Sequence, residues 1–380
     1  MSPRVKYTGF KMPEPAFSNN ITDLVMDLEF LRRREVVRTT DTILYEQLRR
    51  IFKDLDALAS SRVDGNKTGL TKFLESKEEN PDTKGRKTIE IDRIAIALGQ
   101  IDQYFDETIV FQSFFTELHK ILCENITKES TRYAGIIRRT EARPELGIIH
   151  AAPIHLTESY LEKLILFVNK KFSSKYDAIK IAFVHHKFLW IHPFMDANGF
   201  MARLLSYLML KKMGFPGAYQ RIINTSMSMC HDPEKYHALL RKADSGSEKD
   251  INSWIEFSLE GLRDGMYQMD QLSDYNFLKE EILIPAFKHP LFDRIFTDQD
   301  RLIMDIALEK QVFQAADIRH YFPQKHPSEI SKMLKWLKEK EMVINLEENT
   351  RKYTINLENK YLVKVLIAKL DKQGFLPFEK

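Results

Sequence analysis

Ile191-His192-Pro193-Phe194-Met195-Asp196-Ala197-Asn198-Gly199-Phe200-Met201-Ala202-Arg203 is the stretch that decides the fold. It holds an imidazole, a carboxylate, a turn of small residues and a guanidinium within one loop and the start of one helix. Upstream, Ala182-Phe183-Val184-His185-His186-Lys187-Phe188-Leu189-Trp190 has helical apolar spacing. Downstream, Ala202 to Met213 reads as a helix ended by Gly214 and Pro216. The spacing therefore predicts a helix–loop–helix with small polar residues at the N-terminus of the second helix. Unpaired N–H groups and the helix dipole favour an anion there.

At 380 residues the chain has room for two or three domains. A net charge of +3 gives no global basic field of the kind that gathers nucleic acid. Cys123 and Cys230 form neither a disulfide framework nor a metal-ligand spacing, which fits a reducing compartment. The first residues, Met1-Ser2-Pro3-Arg4-Val5-Lys6, lack the apolar centre of a signal peptide. No apolar run approaches the ~18 residues needed to cross a bilayer. The expectation is a cytoplasmic protein with no membrane partner.

Outward from the loop, the pattern is mainly helical. Leu24, Leu28 and Leu31, then Ile43, Leu44, Leu48, Ile51, Leu55 and Leu58, mark two helices, the second stopping near Asp64-Gly65-Asn66. Further helices are predicted over 91–100, 110–122, 156–172, 179–191, 233–243 and 251–271. Between Tyr133 and Pro153, glycines and prolines break up short β-branched pieces, which suits a β-hairpin or an irregular loop. The C-terminal region predicts helices over 298–309, 313–322 and 327–341, two strands over 342–346 and 351–357, and a last helix over 361–371. That order resembles a winged helix-turn-helix. The division expected is 1–90, an N-terminal helical region; 91–288, a catalytic core; and 289–380, the winged helix-turn-helix domain.

The loop resembles the Fic family pattern His-Pro-Phe-x-Asp/Glu-Gly-Asn-Gly-Arg-x-x-Arg. His192, Pro193, Phe194, Asp196, Asn198, Gly199 and Arg203 are in register; Ala197 replaces a glycine and Phe200 replaces the first arginine. The resemblance implies a helical Fic-type bundle with a β-hairpin flap. It also implies a protein adenylyltransferase using ATP and Mg²⁺ on a target protein's Ser, Thr or Tyr hydroxyl. In that scheme His192 is the general base, a role its ordinary pKa near ~6.5 suits. Asp196 holds Mg²⁺, unless it is simply an N-cap. Ala197, Asn198 and Gly199 cradle phosphate, and Arg203 contacts the terminal phosphates. Arg138, Arg139 and Arg143 are the nearby cations that could stand in for the missing arginine. Tyr236 falls where the family places aromatics against adenine, although a tyrosine at helical spacing is more often core.

Ser60-Ser61-Arg62-Val63-Asp64-Gly65-Asn66 resembles the family's inhibitory helix, Ser/Thr-x-x-x-Glu-Gly/Asn. Ser60, Asp64 and Gly65 match it, with aspartate where glutamate is expected. The implied partner of Asp64 is Arg203, and the shorter side chain loses about 1.3–1.5 Å of reach, roughly one C–C bond. A plain helix stop with Gly65 as its C-terminal glycine accounts for part of the same pattern. Gly147, Ile148 and Ile149 fall in the implied flap, where a target segment would pair as a strand.

Two alternatives accompany this expectation: a different nucleotide-derived donor, favoured by the apolar Phe200, and a degenerate scaffold acting as a regulatory or binding module. In the C-terminal region Lys332, Lys335, Lys338 and Lys340 are matched by Glu329, Glu339 and Glu341, so protein contact is favoured over DNA. A homodimer is consistent with the resemblance, and the sequence is silent on it.

Overall fold

The computed structural model describes residues 10–80, 83–104, 109–141, 151–215, 221–230, 232–347 and 350–376. The expected flap residues Gly147, Ile148 and Ile149 lie outside them, as does Arg143.

The chain forms two compact units. One comprises residues up to Glu35 together with Lys53–Tyr267; the other comprises Val36–Phe52 and the residues from Gln268 onward. The first is entirely helical among its described residues. It contains α1 (Asn20–Arg33), the C-terminal half of α2 (Thr42–Val63), α3 (Leu70–Ser76), α4 (Arg86–Tyr104), α5 (Gln112–Cys123), α6 (Lys128–Arg132) and α7 (Ile154–Asn169). It continues through α8 (Asp177–Ile191), α9 (Asn198–Lys212), α10 (Thr225–Cys230), α11 (Pro233–Ala243) and most of α12 (Glu248–Gln271).

The centre of this unit is α8. Every residue from Ala178 to Ile191 is buried, as a helix apolar on all sides demands. Its polar side chains are accommodated one by one. The Lys180 ammonium donates to the Val168 and Lys170 carbonyls at 2.8 Å each, and His186 Nε2 lies 3.0 Å from Asp244. His185 and His186 share no partner, in keeping with structural roles for both. Trp254 of α12 donates its indole N–H to the Ala182 carbonyl at 2.7 Å, and Phe115 of α5 stacks on Phe188. α9 packs along α8 and returns the chain past the loop that joins them.

The second unit continues with α13 (Tyr275–Phe277), a π-turn over Leu278–Leu283, α14 (Ile284–Phe287), α15 (Asp298–Lys310), β1 (Val312–Gln314) and α16 (Ala315–Arg319). It ends with α17 (Pro327–Glu339), β2 (Val343–Asn345), β3 (Lys352–Ile355) and α18 (Leu362–Lys372). Its three strands are antiparallel in the order β1-β3-β2, with Phe313 opposite Tyr353 and Ile344 opposite Thr354. The helix predicted over 313–322 is thus replaced by a strand followed by the five-residue α16. A three-residue strand exists only by pairing with β3, about forty residues away, and no local periodicity reports that. The contact division also joins 268–288 to the C-terminal residues, where the sequence placed them with the core. Leu278, Ile282 and Leu283 of the π-turn are buried, and this turn packs on α18.

Among the described residues no helix is long and apolar enough to cross a membrane.

Candidate functional site

The loop between α8 and α9 opens onto a cavity of about 260 Å³, lined by Asp64 just after α2 and by residues of α4, α5, α6, α8, α9 and α11. His192, Asp196, Ala197, Asn198, Gly199, Tyr236 and Asp64 all line it, so the two sequence motifs meet in one place.

His192 ends α8 in the left-handed region (φ 50°, ψ 61°), where it turns the chain out of the helix. Its imidazole is held well below the usual histidine range, at about 4. Burial is the main cause, and the nearby Arg138 guanidinium adds to it, while Leu189 and Asp196 act weakly the other way. The ring is therefore neutral at neutral pH, the state a proton acceptor needs.

Two residues from elsewhere in the chain clamp the loop. Arg138 is buried and spends its donors on backbone carbonyls: Nε reaches His192 at 2.7 Å, Nη1 reaches Thr140 at 3.1 Å, and Nη2 reaches Ala152 and Ile191. Its own N–H donates to Pro193 at 2.9 Å. A guanidinium so engaged has little left for a phosphate, which removes Arg138 from the candidates for the missing cation. Arg139 is exposed and does not line the cavity. His119 of α5 stacks on Phe194 with ring centroids 3.9 Å apart. Its Nδ1 accepts the Gly135 N–H at 2.8 Å, so Nε2 carries the proton and donates to the Asp196 carbonyl at 3.1 Å. Burial lowers the His119 pKa to about 4, in keeping with this neutral tautomer. Sequence reasoning missed His119. The available signal was a polar residue on the buried stripe of α5, between Phe115 and Cys123 at helical spacing.

Within the loop, Asn198 is buried. Its amide donates to the Phe194 carbonyl at 2.9 Å and accepts the Phe194 N–H at 3.0 Å. Its side chain thus closes the turn, and Asn198, Gly199 and Phe200 at the start of α9 line the cavity. Asp196 is exposed, and one of its oxygens accepts the Ala197 N–H at 2.8 Å. Its other oxygen has no hydrogen-bond partner among the described residues. A single carboxylate combined with substrate phosphates is a common Mg²⁺ arrangement. Among the described residues no group of three or more His, Cys, Asp or Glu is arranged to hold a metal.

Ala197 lies at φ 59°, ψ 15°, the left-handed conformation that glycine adopts freely. For alanine this costs about 1–2 kcal/mol, against the roughly 0.5–1 kcal/mol by which glycine raises unfolded-chain entropy. Ala197→Gly is expected to stabilise this unit by about 0.5–1 kcal/mol, read as a higher melting temperature. An unchanged or lower value would contradict the strain.

Arg203, on α9, is 2% exposed. Nε donates to Ser60 Oγ at 2.8 Å, and Nη2 donates to the Ser60 carbonyl at 3.0 Å and to Asp64 Oδ2 at 2.7 Å. Burial opposes its charge, but Asp64 and the Tyr236 hydroxyl more than compensate, and its pKa is raised. Asp64 reaches Arg203 despite its short side chain because α2 approaches closely: a Cβ built on Gly199 would lie 2.5 Å from Asp64 Oδ2. The carboxylate of Asp64 rests on Gly199 in the first turn of α9. Gly65 follows at φ 87° and ends α2, so the glycine serves as a helix stop while Asp64 makes the ion pair. Asn66 then ties the end of α2 to α4, donating to Lys87 O and Glu90 Oε1 at 2.9 Å each.

Phe200 is buried, with its ring 5.4 Å from the Arg203 guanidinium carbon, a cation–π contact. It lines the cavity without supplying charge. Tyr236 is 1% exposed; its hydroxyl meets His185 Nε2 at 2.9 Å and its ring packs edge-on against Trp254. It forms part of the cavity wall from a position fixed in the core.

The sequence profile of the Fic/DOC family matches residues 110–210. A Fido domain-containing protein of Dictyostelium discoideum is 31% identical over 121 residues, covering 30% of this chain and 79% of the relative. The protein adenylyltransferase Fic of Nematostella vectensis is 25% identical over 209 residues, covering 52% of this chain and 44% of its own length, so the chain spans under half of that enzyme. Among solved structures, a Fic family protein from Desulfovibrio desulfuricans G20 superposes with a TM-score of 0.56 at 18% identity, over 91% of this chain and 98% of that one. Fic-1 from C. elegans gives a TM-score of 0.50 at 21% identity, over 66% and 70% of the two chains. These structural likenesses bear on the fold.

Proposed function

The chain belongs to the Fic/DOC family, and on that premise we propose that it is a protein adenylyltransferase held in check by its own α2. It moves AMP from ATP to a Ser, Thr or Tyr hydroxyl of a target protein. The observation that carries this reading is Asp64 against Gly199, paired with Arg203 and beside His192. A site built for an anion is filled by the protein's own carboxylate.

His192, neutral and oriented by the Arg138 clamp on its carbonyl, accepts the proton of the attacking hydroxyl. The hydroxyl oxygen bonds to the α-phosphorus, the bond from that phosphorus to the bridging oxygen breaks, and pyrophosphate leaves. The first-turn N–H groups of α9 and the Arg203 guanidinium hold the phosphates, by positioning and charge rather than covalent chemistry. Asp196 would hold Mg²⁺, which when bound offsets phosphate charge. The target hydroxyl enters past the segment expected to be the flap, and the C-terminal unit serves protein contact. The adenylyltransferase name of the Nematostella relative supports the choice of donor group.

The test is the position of the label. ATP labelled at the α-phosphorus is expected to leave label on protein in a cell extract or on the chain itself, and γ-labelled ATP none. Label from the γ position alone would make the chain a phosphotransferase and overturn the proposal.

A further inference from the structure

Phe200 leaves the catalytic loop one cation short of the pattern it resembles, and among the described residues that line the cavity there is one arginine or lysine. Arg138 is consumed by backbone carbonyls, and Arg203, paired with Asp64 and Ser60, is the pattern's second arginine and does not replace the missing first. Arg86, the first residue of α4, lines the same cavity. It is exposed, and although its charge acts on Glu90 one turn along, it makes no hydrogen bond or close ion pair among the described residues, so its N–H donors can turn to a ligand.

Its position along the cavity follows from Glu90, one helical turn further on. Glu90 accepts the Asn66 amide just beyond the inhibitory motif. Its carboxyl is held above the usual range, chiefly by burial and further by the charges of Asp64 and Asp196, against the Asn66 bond and the charge of Arg86, which lower it. The first turn of α4 therefore borders the acidic, loop side of the cavity, where the anion-favouring turn of α9 begins. With Asp64, Glu90 and Asp196 all in the lining, Arg86 is the one arginine or lysine that an incoming polyphosphate meets among the described lining residues.

We propose that Arg86 is a nucleotide-binding residue, donating to the polyphosphate of the bound nucleoside triphosphate in place of the arginine absent at Phe200. The inference rests on the nucleotide reading above and adds to it a contact from outside the loop. A planar guanidinium suits two phosphate oxygens at once, whereas a lysine offers only a point charge.

The experiment is calorimetric titration of the full chain with ATP and with adenosine, in magnesium at low salt. Arg86→Ala is expected to weaken ATP binding about five- to twentyfold while leaving adenosine unchanged. Arg86→Lys should fall between, and the loss should shrink as salt is raised. Adding Phe200→Arg to Arg86→Ala should recover part of the affinity. Unaltered ATP affinity in Arg86→Ala overturns the proposal, as does an equal loss for ATP and adenosine, which would mark a packing effect. If neither the unaltered chain nor Asp64→Ala binds ATP at all, the nucleotide reading itself falls, and this proposal with it.

Discussion

In a chain freed by Asp64→Ala, adding His192→Asn is expected to lower AMP transfer by about 10²–10⁴-fold, the usual contribution of a positioned general base. Asparagine is chosen because His192 occupies the left-handed region at φ 50°, which asparagine tolerates better than alanine. The melting temperature should therefore change little while the rate collapses, separating chemistry from folding. The pH profile gives a second reading. A protonated imidazole cannot accept the hydroxyl proton, so activity is lost as pH falls through the His192 pKa. Burial and Arg138 place that value at about 4 in the unliganded protein, so the acid limb of kcat/KM assigned to His192 lies well below the ordinary ~6.5. Transfer that persists in His192→Asn, with the same pH profile, would remove His192 from the reaction.

What was legible in the sequence is what lies close together in it. His192 to Arg203 occupy one turn and the start of one helix, so their order alone places base, carboxylate and cation near each other. The end of α2 was legible for the same reason, from Ser60, Asp64 and Gly65 at fixed spacing. The supports were not. His119 and Arg138 reach the loop from α5 and from the residues after α6, and nothing in their local spacing announces a stack on Phe194 or a bond to the His192 carbonyl. The sequence counted Arg138 among possible phosphate cations because it registers charge and not what the charge is spent on. Arg86 was not among the cations named, because it precedes the helix predicted over 91–100 and no local spacing ties it to the loop. The consequence of Ala197 depended on one dihedral, and φ 59° decides it toward strain. Helix positions followed from periodicity, whereas β1 depends on a distant partner strand.

Asp64→Ala should raise AMP transfer about ten- to hundredfold while lowering the melting temperature, and the opposed signs are the point. A charge-assisted contact of about 1.5–3 kcal/mol holds the competent form to roughly one part in ten to one in a hundred. Removing Asp64 releases that hold. It also leaves Arg203 buried with Ser60 Oγ, the Ser60 carbonyl and the Tyr236 hydroxyl but without the Asp64 carboxylate beside it. Stripping the partner from a fully buried charge costs about 3–5 kcal/mol. Here the Asp64 side chain is 27% exposed, so water can reach the vacated side and a loss nearer about 1–3 kcal/mol is expected. ATP with magnesium should then raise the melting temperature of the variant more than that of the unaltered chain, because a phosphate can now take the place of the missing carboxylate. Asp64→Asn separates the two components of the block. It keeps the bulk over Gly199 and removes the charge, so it should release less activity than alanine if bulk contributes and as much if charge alone acts. A destabilised Asp64→Ala with no gain in transfer, and no added stabilisation by ATP, would make the Asp64–Arg203 pair a structural tie between α2 and α9 rather than a brake on the site.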